Sequence, residues 1–193
     1  MRFKISLPWQ ITIGILLALL IFVTRGHHFA SITLLPGASW AVFFLAGVYL
    51  PQRRMLLFYL LEVVAIDLLP VLSGSPIGFC ISPAYPFLIP AYSALWFAGR
   101  LYSRYYQFKW QTLLPLALFG LAGVFVCQIL STGGFYWFSG RYTDQTMTEM
   151  LMRIVRFYPT FLSNAAFYVG LAVIVHGLVG WAQQTKLTIH RTD

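Results

Sequence analysis

Charged side chains are scarce in this chain. Of its 193 residues only 9% are charged and five are acidic, whereas 59% are hydrophobic. A water-soluble domain needs more polar side chains than this to cover its surface. The lack of charge therefore excludes a soluble globular protein and predicts an integral membrane protein, with the lipid bilayer as its surroundings.

Alternating polarity and cysteine are scarce as well. A transmembrane β-barrel would show segments of about ten residues with alternating polarity, whereas the apolar runs here are continuous and approach the ~20 residues of a spanning helix. Two cysteines are too few for a disulfide framework and lack the spacing of a zinc site. The sequence therefore predicts an all-α membrane protein.

Several common functional patterns are missing. The sequence contains no P-loop, no HExxH and no GxSxG pattern, so it predicts no ATP site in this chain. The net charge of +8 lies in short segments between apolar runs. That distribution is typical of charges that orient a membrane protein, so no nucleic acid is expected as a partner.

The apolar runs predict one domain, residues 1–193, with six transmembrane helices. The first helix carries Gly14 and Ala18 on one face, which permits close approach of another helix. Ser131 to Thr148 is expected to be a loop, and Pro90 is expected to bend the start of the fourth helix or keep it irregular. The predicted spans are Pro8 to Val23, Pro36 to Leu50, Arg54 to Leu72, about Pro83–Pro86 to Tyr102, Gln111 to Leu130 and Pro159 to Trp181, with an interfacial helical stretch over Met147 to Phe157.

Basic residues indicate the orientation. Six spans place both termini on one side, and with that side cytoplasmic, nine basic residues lie inside and four outside. The outer four are Arg25, Arg141, Arg153 and Arg156. The sequence therefore predicts cytoplasmic termini and an outward face that is built from the loops after the first, third and fifth helices.

The loop between Gly74 and Pro86 carries Cys80 among closely spaced glycines and prolines. These residues exclude a regular helix or strand, so the backbone would hold the thiol on a constrained scaffold. A thiolate is a soft ligand for transition metals. The alternatives are that Cys80 is a small buried hydrophobic residue or that it forms a disulfide with Cys127, although Cys127 lies in an apolar run that suits a buried thiol. His27 and His28, in another outer loop, are further candidate ligands or simply solvated residues.

Asp67 lies near the outer end of the third helix. A carboxylate at membrane depth is costly unless it faces protein or water, so it is a functional candidate, with Arg153 and Arg156 as its expected cationic partners. Glu62 lies about 140° away on the helical wheel and is expected to serve a helix contact or coupling. Tyr85 follows Cys80 by five residues in the same loop.

The six short helices, the small residues of the first helix and the lone cysteine of Gly78-Phe79-Cys80-Ile81-Ser82-Pro83 resemble the BtuM family of bacterial cobalamin transporters. This family is related to the vitamin-binding S-components of energy-coupling factor transporters. The resemblance implies an S-component-like bundle in the bacterial cytoplasmic membrane, which takes up cobalamin and could dock onto an energising module.

The resemblance also implies roles for five residues. Cys80 would ligate the cobalt of cobalamin and assist removal of its upper cyanide, and His28 would lie on the opposite axial side. Asp67, Tyr85 and Arg153 would surround the corrin, with His27 and Arg156 as alternatives to His28 and Arg153.

Two other functions stay open at this point. One is an S-component for a different vitamin, in which Cys80 is incidental. The other is a thiol or haem oxidoreductase that uses Cys80, Cys127 and the histidines. A haem bundle usually holds paired histidines within its spans, and here only His176 lies within one.

Overall fold

The computed structural model describes residues 6–25, 35–72 and 82–189. Within these ranges the chain forms six α-helices and no strand, so the predicted all-α class is confirmed. Short 3-10 turns at Tyr85–Phe87 and Trp110–Thr112 precede the fourth and fifth helices. The helices are α1 (Leu7–Arg25), α2 (Ser39–Tyr49), α3 (Arg53–Leu72), α4 (Leu88–Tyr105), α5 (Leu113–Phe138) and α6 (Met147–Ile189).

Helix α2 lies at the centre and contacts each of the other five helices. Ten of its 11 residues are buried, from Ser39 through Val48. A helix that is apolar on every side belongs in an interior, and the run Trp40 to Val48 contains no charged or amide side chain. Aromatic stacking reinforces its contacts, because Phe43 stacks on Tyr92 of α4 at 4.4 Å and Trp40 stacks on Phe161 of α6 at 4.5 Å.

Two glycines allow α2 and α4 to pack backbone against backbone. A Cβ atom added to Gly47 would lie 2.0 Å from the carbonyl oxygen of Trp96, and one added to Gly99 would lie 2.0 Å from that of Phe44. No real Cβ approaches a backbone oxygen so closely. The α2–α4 contact therefore requires glycine at both positions.

Three helices are long and apolar enough to cross a membrane. Among the described residues these are α1, α5 together with the turn before it (Trp110–Phe138), and α6 over Met147–Ala182. Their outward faces carry large exposed hydrophobic side chains such as Leu16, Leu114 and Ile174. Helix α2, with 11 residues, is about 16 Å long and does not by itself reach across a ~30 Å hydrocarbon core.

Helix α5 is longer than predicted. The polar residues after Leu130 indicated a loop from Ser131, but α5 continues to Phe138, so the loop spans only 139–146. Gly134 faces Phe87, where a Cβ would lie 2.4 Å from the ring, and Gly133 lies next to Met150. These glycines serve helix packing and do not end the helix.

Helix α6 is also continuous where two segments were predicted. It runs from Met147 through Pro159, so the expected interfacial stretch and sixth span form one helix. Proline removes one helical hydrogen bond, but contacts on both sides hold the flanking turns in place. The Tyr158 hydroxyl donates to the Leu121 carbonyl at 3.3 Å, and Phe161 stacks on Trp40.

The face of α1 that carries the small residues packs against another helix of the same chain. Gly14 is buried and faces Met55 and Tyr59 of α3, and the Tyr59 hydroxyl donates to the Gly14 carbonyl at 3.0 Å. The helix that approaches Gly14 is therefore α3. Pro90, in the first turn of α4, replaces an amide that would have no helical partner there, and an irregular 3-10 turn precedes it as predicted.

Candidate functional site

A bidentate ion pair joins the ends of α1 and α3. Arg25, in the last turn of α1, donates from Nε to Oδ1 of Asp67 at 2.7 Å and from Nη2 to Oδ2 at 2.6 Å. Both side chains are only 18% exposed. Two parallel hydrogen bonds between a guanidinium and a carboxylate fix their relative orientation as well as their charge balance.

Three further side chains complete this cluster, which we call the Arg25 network. Arg25 Nη1 donates to the Tyr92 hydroxyl at 2.8 Å and to the Ser39 hydroxyl at 3.2 Å. The Tyr85 hydroxyl donates to Asp67 Oδ2 at 2.8 Å. Burial and this hydrogen bond raise the pKa of Tyr85, so its hydroxyl keeps the proton that it donates. The network joins α1, α2, α3, α4 and the turn before α4.

The Arg25 network holds the flanks of two chain segments at one place. Arg25 directly precedes residues 26–34, and Ser39 follows them closely. Asp67 and Tyr85 likewise flank residues 73–81. The predicted ligands Cys80, His27 and His28 themselves lie outside the described residues.

The prediction that Arg153 or Arg156 would pair with Asp67 was wrong. Its cation is Arg25, whereas Arg153 pairs with Glu149 and Arg156 is exposed above the ring of Phe157. Arg25 was assigned to a loop because the predicted first helix ended at Val23. The sequence did contain a signal for the Arg25–Asp67 pair. In a bundle whose helices alternate in direction, the first and third helices end on the same side, so their last turns lie at the same depth.

A second cluster, the Arg153 cluster, consists of Tyr136, Tyr142, Glu149 and Arg153. Arg153 Nη2 donates to Glu149 Oε1 at 2.7 Å, and its guanidinium lies 4.4 Å from the ring centroid of Tyr142. The Tyr136 hydroxyl donates to the other Glu149 oxygen at 3.0 Å. The ion pair is about one-third exposed, so its charges are within reach of a ligand.

Both clusters lie at the same end of the bundle. Phe87, two residues after Tyr85, stacks on Phe138 at 4.8 Å and fits against Gly134. The turn that carries Tyr85 is thereby packed on the last turns of α5, next to the Arg153 cluster. We call this end, with both clusters, the Arg25 end. The structure thus brings Asp67 and Tyr85 into contact, and places Arg153 in a neighbouring cluster.

The core contains further polar groups, of which Cys127 and Glu62 were singled out from the sequence but Gln128 and Trp96 were not. Cys127 is a buried free thiol. Among the described residues, both amide atoms of Gln128, the indole nitrogen of Trp96 and one carboxylate oxygen of Glu62 are buried without a hydrogen-bond partner. The described part of the chain holds no group of three or more histidine, cysteine, aspartate or glutamate side chains that could bind a metal ion.

Comparison with known proteins adds no family. No protein-family model matches this sequence, and no curated protein sequence matches it.

Proposed function

We propose that this chain binds cobalamin and carries it across the bacterial cytoplasmic membrane, with the Cys80 thiolate as an axial cobalt ligand. One observation supports this most directly. The segments that contain Cys80 and His28 are anchored by residues of a single hydrogen-bond network, namely Arg25, Ser39, Asp67 and Tyr85. A ligand that contacts both segments would therefore bind at the Arg25 end.

Chain length limits how far the two proposed ligands can lie from this network. Cys80 is five residues from Tyr85 and His28 is three residues from Arg25. Even a fully extended chain spans at most about 18 Å and about 11 Å over these separations. Both proposed donors are therefore tethered to the Arg25 end by short stretches of chain. Axial ligation of one cobalt ion by both donors requires that they stay close to each other in this way.

The chemistry assigns different tasks to the five proposed site residues. A thiolate is a soft donor that suits a transition metal and can labilise the group trans to it, which supports removal of the upper cyanide. His28 would bind on the other axial side. Arg153 could donate to amide or phosphate oxygens of cobalamin. Asp67 already accepts three hydrogen bonds, so it and Tyr85 would position the Cys80 segment at the edge of the corrin.

The proposed membrane arrangement has six spans with both termini in the cytoplasm, and the second span consists of α2 together with the non-helical residues at its two ends. The ends of α1, α3 and α5 and the starts of α2, α4 and α6 meet at the Arg25 end, so the helices alternate in direction. The positive-inside rule then directs the Arg25 end outward. The protein would be a multi-pass protein of the inner membrane with an S-component-like bundle. Because the sequence has no P-loop, a separate energy-coupling module is the proposed partner for active uptake.

Cobalt ligation by Cys80 is directly measurable. We expect detergent-purified protein, loaded with cobalamin, to contain cobalt by elemental analysis, and we expect Cys80→Ala to change its visible spectrum because an axial donor is lost. Cys127→Ala is the matched control, since this buried thiol should leave the spectrum unchanged. An identical spectrum in Cys80→Ala would refute the thiolate assignment, and absence of cobalt would favour a different vitamin.

Uptake is tested by growth. In a bacterial host that cannot import cobalamin and depends on it, expression of this chain should restore growth at low cobalamin concentration. We expect Cys80→Ala to reduce or abolish this rescue, and hosts with and without an energising module will show whether uptake requires one. Failure of rescue in both hosts, with normal expression in the membrane, would contradict the transport proposal.

A further inference from the structure

A cavity of about 280 Å³ lies at the end of the bundle opposite the Arg25 end. It is open on one side and is lined by the end of α2, the connection between α4 and α5, the start of α5 and the middle of α6. Most of the wall is hydrocarbon or aromatic. Its aliphatic part includes Leu45, Val48, Leu116, Val169, Ala172 and Val173.

Polar groups of the cavity lie in its wall and at its rim. The wall includes the Tyr49 hydroxyl, 3.5 Å from His176 Nδ1. It also includes the Tyr102 hydroxyl, 3.4 Å from Thr112 Oγ1. In the wall, the Tyr106 hydroxyl and His176 Nε2 lie 2.7 Å apart and share a hydrogen bond.

Lys109 is exposed at the rim, and the neighbouring Trp110 is 80% exposed. Exposed tryptophans are typical of the depth at which lipid headgroups meet hydrocarbon. An apolar chamber therefore opens next to a cation at headgroup level.

Among the side chains that the structure describes, charge at this end is of one sign. The described arginines and lysines here are Arg53, Arg54, Arg100, Arg104 and Lys109. Of the described acidic residues, Asp67, Asp144 and Glu149 belong to the opposite end and Glu62 lies more than two turns along α3. Neither Arg104 nor Lys109 forms an ion pair with a described residue. This end is thus complementary to an anionic ligand.

We propose that the cavity binds an anionic phospholipid. One acyl chain occupies the apolar chamber, and the phosphate contacts Lys109, with Arg104 five residues away. Basic pockets between helices on the cytoplasmic side of a membrane recognise anionic headgroups in this way. The proposal requires that the chain lies in a bilayer, but it is independent of cobalamin.

Lipid titration with native mass spectrometry tests this site. Delipidated protein is titrated with phosphatidylglycerol and, separately, with phosphatidylcholine of the same acyl chains. We expect phosphatidylglycerol to bind more tightly, and Lys109→Gln to weaken it about fivefold, the contribution of one cation near a headgroup. Phosphatidylcholine binding should not change in Lys109→Gln.

Two further variants separate the chamber from the rim. Ala172→Phe fills the chamber and should weaken both lipids, while its helical content and elution volume report whether it is folded. Arg156→Gln removes an exposed cation at the opposite end and should leave both affinities unchanged. Equal affinity for the two lipids in the unaltered protein, or undiminished phosphatidylglycerol binding in Lys109→Gln, would overturn the proposal. If the protein prefers phosphatidylglycerol but contains no cobalt after loading with cobalamin, the lipid proposal stands and only the cobalamin proposal is contradicted.

Discussion

Gly99→Ala is expected to prevent stable packing of the bundle. The added Cβ would lie 2.0 Å from the carbonyl oxygen of Phe44, which is a backbone atom that cannot rotate away. Helices α2 and α4 would have to separate along the most buried element of the structure. Overpacking of a core typically costs about 1–3 kcal/mol, and a clash with backbone belongs at or above the upper limit. Thermal unfolding in detergent, followed by circular dichroism, should show a large loss of stability or no folded protein.

A matched control isolates the clash from any general effect of alanine. A Cβ on Gly170, within α6, would meet no atom within 4 Å. Gly170→Ala should therefore keep or raise the melting temperature, because alanine favours a helix over glycine by about 1 kcal/mol. If Gly99→Ala melted like the unaltered protein, α2 and α4 would not approach closely enough to require glycine at this position.

Asp67→Ala is expected to have the second largest effect. It leaves the Arg25 guanidinium, 18% exposed, without its carboxylate. Removal of one partner of a fully buried ion pair typically costs about 3–5 kcal/mol, so this partly buried pair should lose less than about 3 kcal/mol. The Tyr85 hydroxyl loses its acceptor as well. The measurement is again thermal unfolding in detergent.

A double variant distinguishes loss of the pair from loss of one charge. Arg25→Met combined with Asp67→Leu removes both charges, so it should be more stable than Asp67→Ala alone. The ion pair of the Arg153 cluster, which is about one-third exposed, is the control, and Glu149→Gln should change the melting temperature little. Equal destabilisation by Asp67→Ala and Glu149→Gln would contradict a buried role for the Arg25 network.

Several features of this fold follow from local sequence. The charge-poor apolar runs predict helices, and the uninterrupted apolar character of Trp40 to Val48 explains why α2 is central. Pro90 indicates the irregular start of α4, and the helix ends were predicted to within a few residues for α1, α2 and α3. In each case the signal is carried by neighbours along the chain.

The errors occurred where distant contacts override local preference. Gly133 and Gly134 indicate a helix end by propensity, yet α5 continues because Phe87 and Met150 pack against them. Pro159 indicates a new helix, yet α6 continues through it. The partner of Asp67 was missed because Arg25 lies 42 residues away along the chain. Which of the four outer arginines pairs with Asp67 depends on which helix ends lie at the same depth in the bundle.

By itself, then, the sequence determines a helical, charge-poor chain with a short second helix of uninterrupted apolar character, because composition acts locally; its central position is a result of the tertiary contacts. It also singles out Asp67 and Tyr85 as candidates. Only the tertiary structure decides that Arg25 is the cation that holds them together, that Gly47 and Gly99 face each other's helix backbones, and that a cavity lies next to Lys109. These features depend on which side chains meet across helices, and this information is absent from any single segment of the chain.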